Sequence, residues 1–150
     1  MIVIQQADIN GDQVVYEIQQ QSFTNHWSLK DWQDLLKVPG TIVRLAYDKQ
    51  KPIGYAVIRH CDDMADVISV AVLPSYRQQG IGKALMKELM KEMQDFGVRK
   101  ILLEVGCNNI AAQHLYQILG FKPIFMRPNY YYNPPSPPEN AIVMQYFCHI

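Results

Sequence analysis

The segment Arg77-Gln78-Gln79-Gly80-Ile81-Gly82-Lys83 stands between the end of an apolar strand pattern and the start of the clearest helical pattern in the chain. Glycines at such a junction let backbone N–H groups approach a phosphate, and the first turn of a helix adds partial positive charge. A pyrophosphate-bearing ligand is the natural occupant. Two other phosphate-binding patterns fail here. A Walker A loop ending at Gly82-Lys83 needs glycine where Arg77 stands and Ser or Thr where Ala84 stands, and a dinucleotide fingerprint from Gly80 needs a small residue at Leu85. Taken alone, the two glycines are also explained as the turn that leads the chain into the helix.

Glu104 is the second candidate. It is the only charge between Ile101 and Val105 in the run Arg-Lys-Ile-Leu-Leu-Glu-Val. Burying a lone carboxylate is costly unless it is paired, hydrogen-bonded or protonated, and carboxyl groups in such settings are suited to general-base work near neutrality. A structural ion pair is the competing explanation. His26, His60, His114 and His149 show no metal-ligand spacing, and no G-x-S-x-G elbow is present, so neither a metal nor serine-hydrolase chemistry is expected. Cys61, Cys107 and Cys148 form no C-x-x-C pair, which points away from a disulfide framework and toward a reducing, cytoplasmic setting.

The elements that must position these groups follow from periodicity. Residues 2–4 read as a short strand, and Val14, Val15 and Ile18 repeat at helical spacing over 12–22, with Phe23 just beyond. Ser28 with Asp31 resembles a capping box that opens a second helix to about Lys37, before Pro39-Gly40. Residues 41–47 and 53–60 alternate like a hairpin, and 66–73 form a third strand stopped by Pro74. Leu85, Leu89, Met93 and Phe96 make one stripe of a helix over 82–96 that ends at Gly97. The near-continuous apolar run 99–105 predicts a central strand covered on both faces. Asn109 is a good N-cap for a helix to Leu119, with Gly120 beyond it. Residues 121–126 and 141–147 pair as closing strands around a loop, 127–140, whose Tyr130-Tyr131-Tyr132-Asn133-Pro134-Pro135-Ser136-Pro137-Pro138 stretch cannot be strand throughout. That loop is either a surface excursion or a lip lining a substrate.

The chain has 150 residues, 49% hydrophobic and 19% charged, with 14 basic and 14 acidic side chains. One domain over 1–150 is the expectation at this length. Balanced charge argues against nucleic acid as a partner. No apolar run approaches the ~18 residues a membrane helix needs, and the N-terminus lacks a signal-like pattern, so no membrane association is expected. Composition leaves the oligomeric state open.

These residues reach a resemblance. Val70-Ala71-Val72, Pro74 and Tyr76-Arg77-Gln78-Gln79-Gly80-Ile81-Gly82-Lys83-Ala84-Leu85 resemble the signature of the GNAT N-acetyltransferases, whose Q/R-x-x-G-x-G/A segment is matched by Arg77, Gly80 and Gly82. Leu103-Glu104-Val105, Asn109, Ala111-Ala112, Leu115-Tyr116 and Leu119-Gly120-Phe121 resemble the later motifs of that family. Arg127, Asn129-Tyr130-Tyr131 and Ala141-Ile142-Val143-Met144 narrow the likeness to the RimI-type ribosomal-protein alanine N-acetyltransferases, over nearly the whole chain.

The resemblance implies a mixed α+β fold with a central, mostly antiparallel twisted sheet of about six to seven strands and about four flanking helices. It implies acetyl-CoA as cosubstrate, with the backbone of Gln78, Gln79, Gly80, Ile81, Gly82 and Lys83, beside Arg77, holding the pyrophosphate. The bulged strand Val70, Ala71 and Val72 would pair with the pantetheine arm, which Asn109 would also contact. An α-amine has a pKa of roughly 7.7–8.0 and is largely protonated at neutral pH. By resemblance, Glu104 removes that proton and Tyr116 supplies one to the departing thiolate. Trp27, Tyr130 and Tyr131 would face the acceptor, implied to be a ribosomal-protein N-terminus.

Three features depart from the family pattern: Gly106-Cys107-Asn108 after the base, His26 before Trp27-Ser28, and the prolines of the 127–140 loop. They leave open an acceptor that is a small amine or a lysine side chain, and a non-catalytic CoA-binding sensor. A covalent relay through Cys107 would need a base partner, and no histidine adjoins it in sequence.

Overall fold

A computed structural model describes residues 1–8, 10–22, 27–132 and 135–149. Phe23, His26, Asn133 and Pro134, which figure in the sequence reading, lie outside the described residues. The elements in chain order are β1 (Ile2–Gln6), α1 (Gly11–Ser22), α2 (Leu29–Leu36), β2 (Thr41–Asp48), β3 (Lys51–Cys61), β4 (Met64–Val72), a 3₁₀ turn (Pro74–Tyr76), α3 (Ile81–Asp95), β5 (Lys100–Gly106), α4 (Ile110–Ile118), β6 (Lys122–Tyr131) and β7 (Glu139–Phe147). The strands form one sheet in the order β1-β2-β3-β4-β5-β7-β6, parallel only where β4 meets β5.

Local signals act where the sequence places them. Ser28 accepts the Asp31 amide at 3.1 Å while the Asp31 carboxylate accepts the Ser28 amide at 3.1 Å, a complete capping box on α2. Asn109 accepts the Ala112 amide at 3.2 Å and caps α4. At the other end of α4, the Phe121 amide donates to the Tyr116 carbonyl at 2.9 Å, closing the last turn around Gly120.

Alternation along β3 sorts the helices onto two faces. Tyr55 meets Trp32 of α2 edge-on at 5.9 Å, whereas the neighbouring Gly54 is closed over by Leu85 of α3. Leu115 of α4 lies against Gly82, so α4 shares the face of α3. Ile81, Leu85, Met86, Leu89, Met90 and Met93 of α3 are all buried, at ~1.5–3 kcal/mol for each large apolar side chain taken from water. Phe96 does not continue that stripe: it stands past the last turn, is 58% exposed, and stacks on His60 at 5.1 Å.

Two further differences bear on the site. β5 is central but not covered on both faces: Ile101, Leu103 and Val105 are buried, while Leu102 and Glu104 are half-buried. The cause is that α1 and α2 pack chiefly on β2, β3 and β4, leaving their face of β5 partly open. β6 runs on to Tyr131, through Pro128, where the sequence predicts a loop from residue 127. As the outermost strand β6 tolerates proline, and its register with β7 slips between Arg127 and Tyr131.

Candidate active site

The β4–β5 ladder has only three rungs, Met64↔Lys100, Ala65↔Ile101 and Asp66↔Leu102. Just beyond them, β3 pairs Ile58 with Val67 and Val57 with Ser69, which leaves Ile68 as the extra residue of a bulge. A bulge bends its strand and strengthens the local twist, and here it turns β4 away from β5. Val70, Ala71 and Val72 keep their ladder to β3, opposite Ala56, Tyr55 and Gly54. Their other edge faces the opening, with no ladder to β5.

The turn from β4 into α3 borders this opening. Gln78 and Gly80 both have positive φ, 63° and 78°, and a side chain at Gly80 would meet nothing within 4 Å. The first helical hydrogen bond runs from the Ala84 amide to the Gly80 carbonyl, so the amides of Ile81, Gly82 and Lys83 precede the ladder and are free to serve an anion. These features fit a pyrophosphate. Ile81 can contribute only its backbone, because its side chain is in the core. Arg77 folds back instead of reaching forward: its Nε donates to the Val72 carbonyl at 3.1 Å and its terminal nitrogen to the Ser22 carbonyl at 3.4 Å. It thereby ties α1 to the end of β4. Lys83 borders a groove between α3 and α4 that Lys87 and Lys91 also line.

Glu104 emerges on the face of α1 and α2. Asp66 shares a face with Arg59 across β3, and Leu102 and Glu104 follow at even spacing. Its carboxylate is not the isolated charge its apolar neighbours predict. Arg127 donates to Oε1 at 3.0 Å, and the Tyr130 hydroxyl donates to Oε2 at 3.4 Å. The guanidinium lies 4.2 Å from the centre of the Tyr130 ring. Tyr131 donates to the Glu104 backbone carbonyl at 3.2 Å. These contacts join β5 to β6 across β7, a register that no local pattern reveals.

Tyr116 lies on the opposite, α4 face. It is buried, edge-on to Phe121 at 6.0 Å, and burial pushes its phenol up to about 12. Burial chiefly, and then Tyr130, Glu104, Tyr116 and Glu139, push the Tyr131 phenol up. Glu104 and Tyr116 thus stand on opposite faces of the sheet. Asn109 caps α4 through Oδ1, and among the described residues its amide nitrogen has no partner.

The β5–α4 turn is held by groups that the sequence does not single out. Glu139 accepts the Asn108 amide at 2.9 Å, the Asn140 carbonyl accepts the Cys107 amide at 2.9 Å, and Gln113 Nε2 donates to the carbonyls of Gly106 and Cys107, each at 3.0 Å. Trp27 packs on Trp32 at 4.8 Å, beside α1. A cavity of about 610 Å³ lies elsewhere, around the Arg44–Glu92 ion pair between β2, α2 and α3.

The chain matches the Acetyltransferase (GNAT) family over residues 13–121. It is 33% identical over 144 residues to the [ribosomal protein bS18]-alanine N-acetyltransferase of Haemophilus influenzae, covering 96% of this chain and 97% of that one. The crystal structure of the ribosomal-protein-S18-alanine N-acetyltransferase from Escherichia coli superimposes with a TM-score of 0.93 at 29% identity, covering 100% of this chain and 96% of the other. Arabidopsis thaliana NAA60 in complex with acetyl-CoA shares the fold at a TM-score of 0.86 and 18% identity, with 98% of each chain covered.

Proposed function

The chain belongs to the GNAT acetyltransferase family, and from that premise we propose that it acetylates the N-terminal α-amine of a protein, the alanine of ribosomal protein S18. The chain is an acetyl-CoA-dependent N-acetyltransferase. The acceptor is inferred from the relatives named for it. A cytoplasmic setting agrees with that acceptor, and among the described residues no helix is long and apolar enough to cross a membrane.

The observation that carries the reading is Glu104, fixed by Arg127 and Tyr130 beside the gap between β4 and β5. In the proposed reaction the Glu104 carboxylate takes a proton from the acceptor ammonium, directly or through water. The amine nitrogen then forms a bond to the thioester carbonyl carbon. As the tetrahedral intermediate collapses the carbon–sulfur bond breaks, Tyr116 gives its phenolic proton to the leaving sulfur, and the nitrogen sheds its second proton to water; Tyr116 regains a proton from water and Glu104 releases its own to solvent. Burial favours the protonated phenol, the form a general acid needs. The backbone of residues 78–83, the open edge of Val70 to Val72 and the amide of Asn109 would hold the cosubstrate. Trp27, Tyr130 and Tyr131, each partly exposed, would wall the acceptor.

The test is release of CoA with mass-spectrometric mapping of the product, on alanine-start S18 peptides, on N-terminally blocked peptides containing lysine, and on a panel of small amines. Acetylation confined to the free α-amine supports the proposal. Turnover only on lysine or small amines replaces the acceptor, and turnover unaffected by Glu104→Gln removes the assigned base.

A further inference from the structure

Gln19 is the only buried polar side chain among the described residues, at 6% exposure, and the acetyl-transfer chemistry makes no use of it. Its Oε1 accepts two hydrogen bonds, from the backbone amide of Trp27 at 3.0 Å and from the indole nitrogen of Trp32 at 2.9 Å. Both partners can only donate, so the atom between them must be the oxygen, and both of its lone pairs are spent. The two indoles that this one oxygen gathers pack on each other at 4.8 Å. Trp32 is fully buried, whereas Trp27 is 42% exposed. Trp32 continues edge-on to Tyr55, whose hydroxyl hydrogen-bonds Ser69 at 2.8 Å, one residue past the bulge of β4.

We infer that Gln19 is a positioning residue for acceptor binding, which fixes Trp27 as a rigid apolar wall. The inference rests on the reading above that Trp27 faces the acceptor. A half-exposed indole outside regular secondary structure turns readily unless its backbone is tied. Here one α1 side chain ties the backbone, and the buried Trp32 backs the ring. The wall is thereby linked to the strand that opens the cleft. The acceptor class this suits is an extended peptide N-terminus with a small, apolar first side chain, which can approach the indole face closely.

The experiment uses the full chain with acetyl-CoA and an alanine-start peptide, and compares Gln19→Leu, Gln19→Glu and Trp27→Ala. Leucine keeps the volume without an acceptor. Loss of both hydrogen bonds is expected to raise the peptide KM about tenfold, while kcat and the acetyl-CoA KM stay within about twofold. Glutamate retains an oxygen able to accept both donors and is expected to restore the peptide KM to within about threefold of the parent. A raised peptide KM in Trp27→Ala with no change in Gln19→Leu overturns the inference and leaves the acceptor reading standing. An unchanged peptide KM in Trp27→Ala overturns both. Should Gln19→Leu fail to fold, hydrogen exchange of the parent protein decides the matter: the Trp27 amide and Trp32 indole protons are expected to exchange slowly, and exchange of the Trp27 amide at the rate of an open loop overturns the tie.

Discussion

The Glu139 carboxylate passes over Gly106 to accept the Asn108 amide at 2.9 Å, and a side chain on Gly106 would overlap that carboxylate. The nearest atoms a side chain on Gly106 would meet are thus the movable end of Glu139 and not backbone. Gly106→Ala is expected to displace Glu139, hand the exposed Asn108 amide to water and destabilise the fold by about 0.5–1 kcal/mol. In a Glu139→Ala background the same substitution should cost clearly less, since nothing is left to displace. Urea unfolding of the four proteins checks this. Equal costs in the two backgrounds would mean that the backbone, and not Glu139, demands the glycine.

Arg127 and Tyr130 hold the two oxygens of Glu104 from β6, reaching across β7. Glu104→Gln keeps the shape and a hydrogen-bonding oxygen but removes the proton acceptor, so kcat is expected to fall at least about a hundredfold with little change in the acetyl-CoA KM. Arg127→Ala leaves the carboxylate unheld, and a loss of about tenfold in kcat/KM is expected, partly restored by Arg127→Lys, which keeps the charge without the planar fork. Steady-state kinetics on the α-amine acceptor measures both. A Glu104→Gln protein with parent-like turnover would assign the carboxylate to structure alone.

Tyr116 gives a prediction with a definite sign. Burial raises its phenol from 10.0 to about 12, so it stays protonated through the neutral range, and no fall in kcat from its ionisation is expected below about pH 10. Tyr116→Phe should lower kcat about tenfold or more while leaving both KM values near those of the parent. The same shift links folding to pH. Between 10.0 and about 12 the folded chain binds more protons at this site than the unfolded chain. Its contribution, of order 2–3 kcal/mol, is thus complete below pH 10 and lost as pH rises toward 12. Tyr55, also pushed up by burial, adds a loss of the same sign. Denaturant midpoints at pH 9 and pH 11 should differ more in the parent than in Tyr116→Phe.

What the sequence made legible was decided within a few residues. The Ser28–Asp31 box, the Asn109 cap and the stop of α4 at Gly120 are each a local hydrogen-bonding arrangement, and each is signalled by the residue types that make it. The glycine segment before α3 is of the same kind. Glu104 was legible as a lone charge, but its partners come from β6 through the β5–β7–β6 register, which no window along the chain contains. Leu102 looked like core for a similar reason: only the packing of α1 and α2 on β2 to β4 decides which part of the sheet stays open. The prolines of the 127–140 stretch suggested a loop from residue 127, yet β6 runs on through Pro128 because an outermost strand has no outer partner to lose. Gln19 had no signal, because a glutamine on an amphipathic helix is ordinary until two donors converge on it.

Gly80 combines a conformation and an opening that its role as a phosphate cradle requires. Its φ of 78° is one that L-residues adopt at a cost of about 1–2 kcal/mol, and apart from Gly80 and its two chain neighbours no atom of the described residues stands within 4 Å of where a Cβ would lie. A turn that served only to begin the helix would suffer the strain of Gly80→Ala without any further effect of side-chain size, since there is room on the protein side. If the room is for a pyrophosphate, size matters. Gly80→Ala is expected to lower stability by about 1 kcal/mol and to raise the acetyl-CoA KM, and Gly80→Val to raise that KM several-fold further, with the acceptor KM unchanged in both. Calorimetric titration with CoA separates binding from turnover. Equal CoA affinity in the alanine and valine proteins would show that the space above Gly80 is not where the phosphates lie.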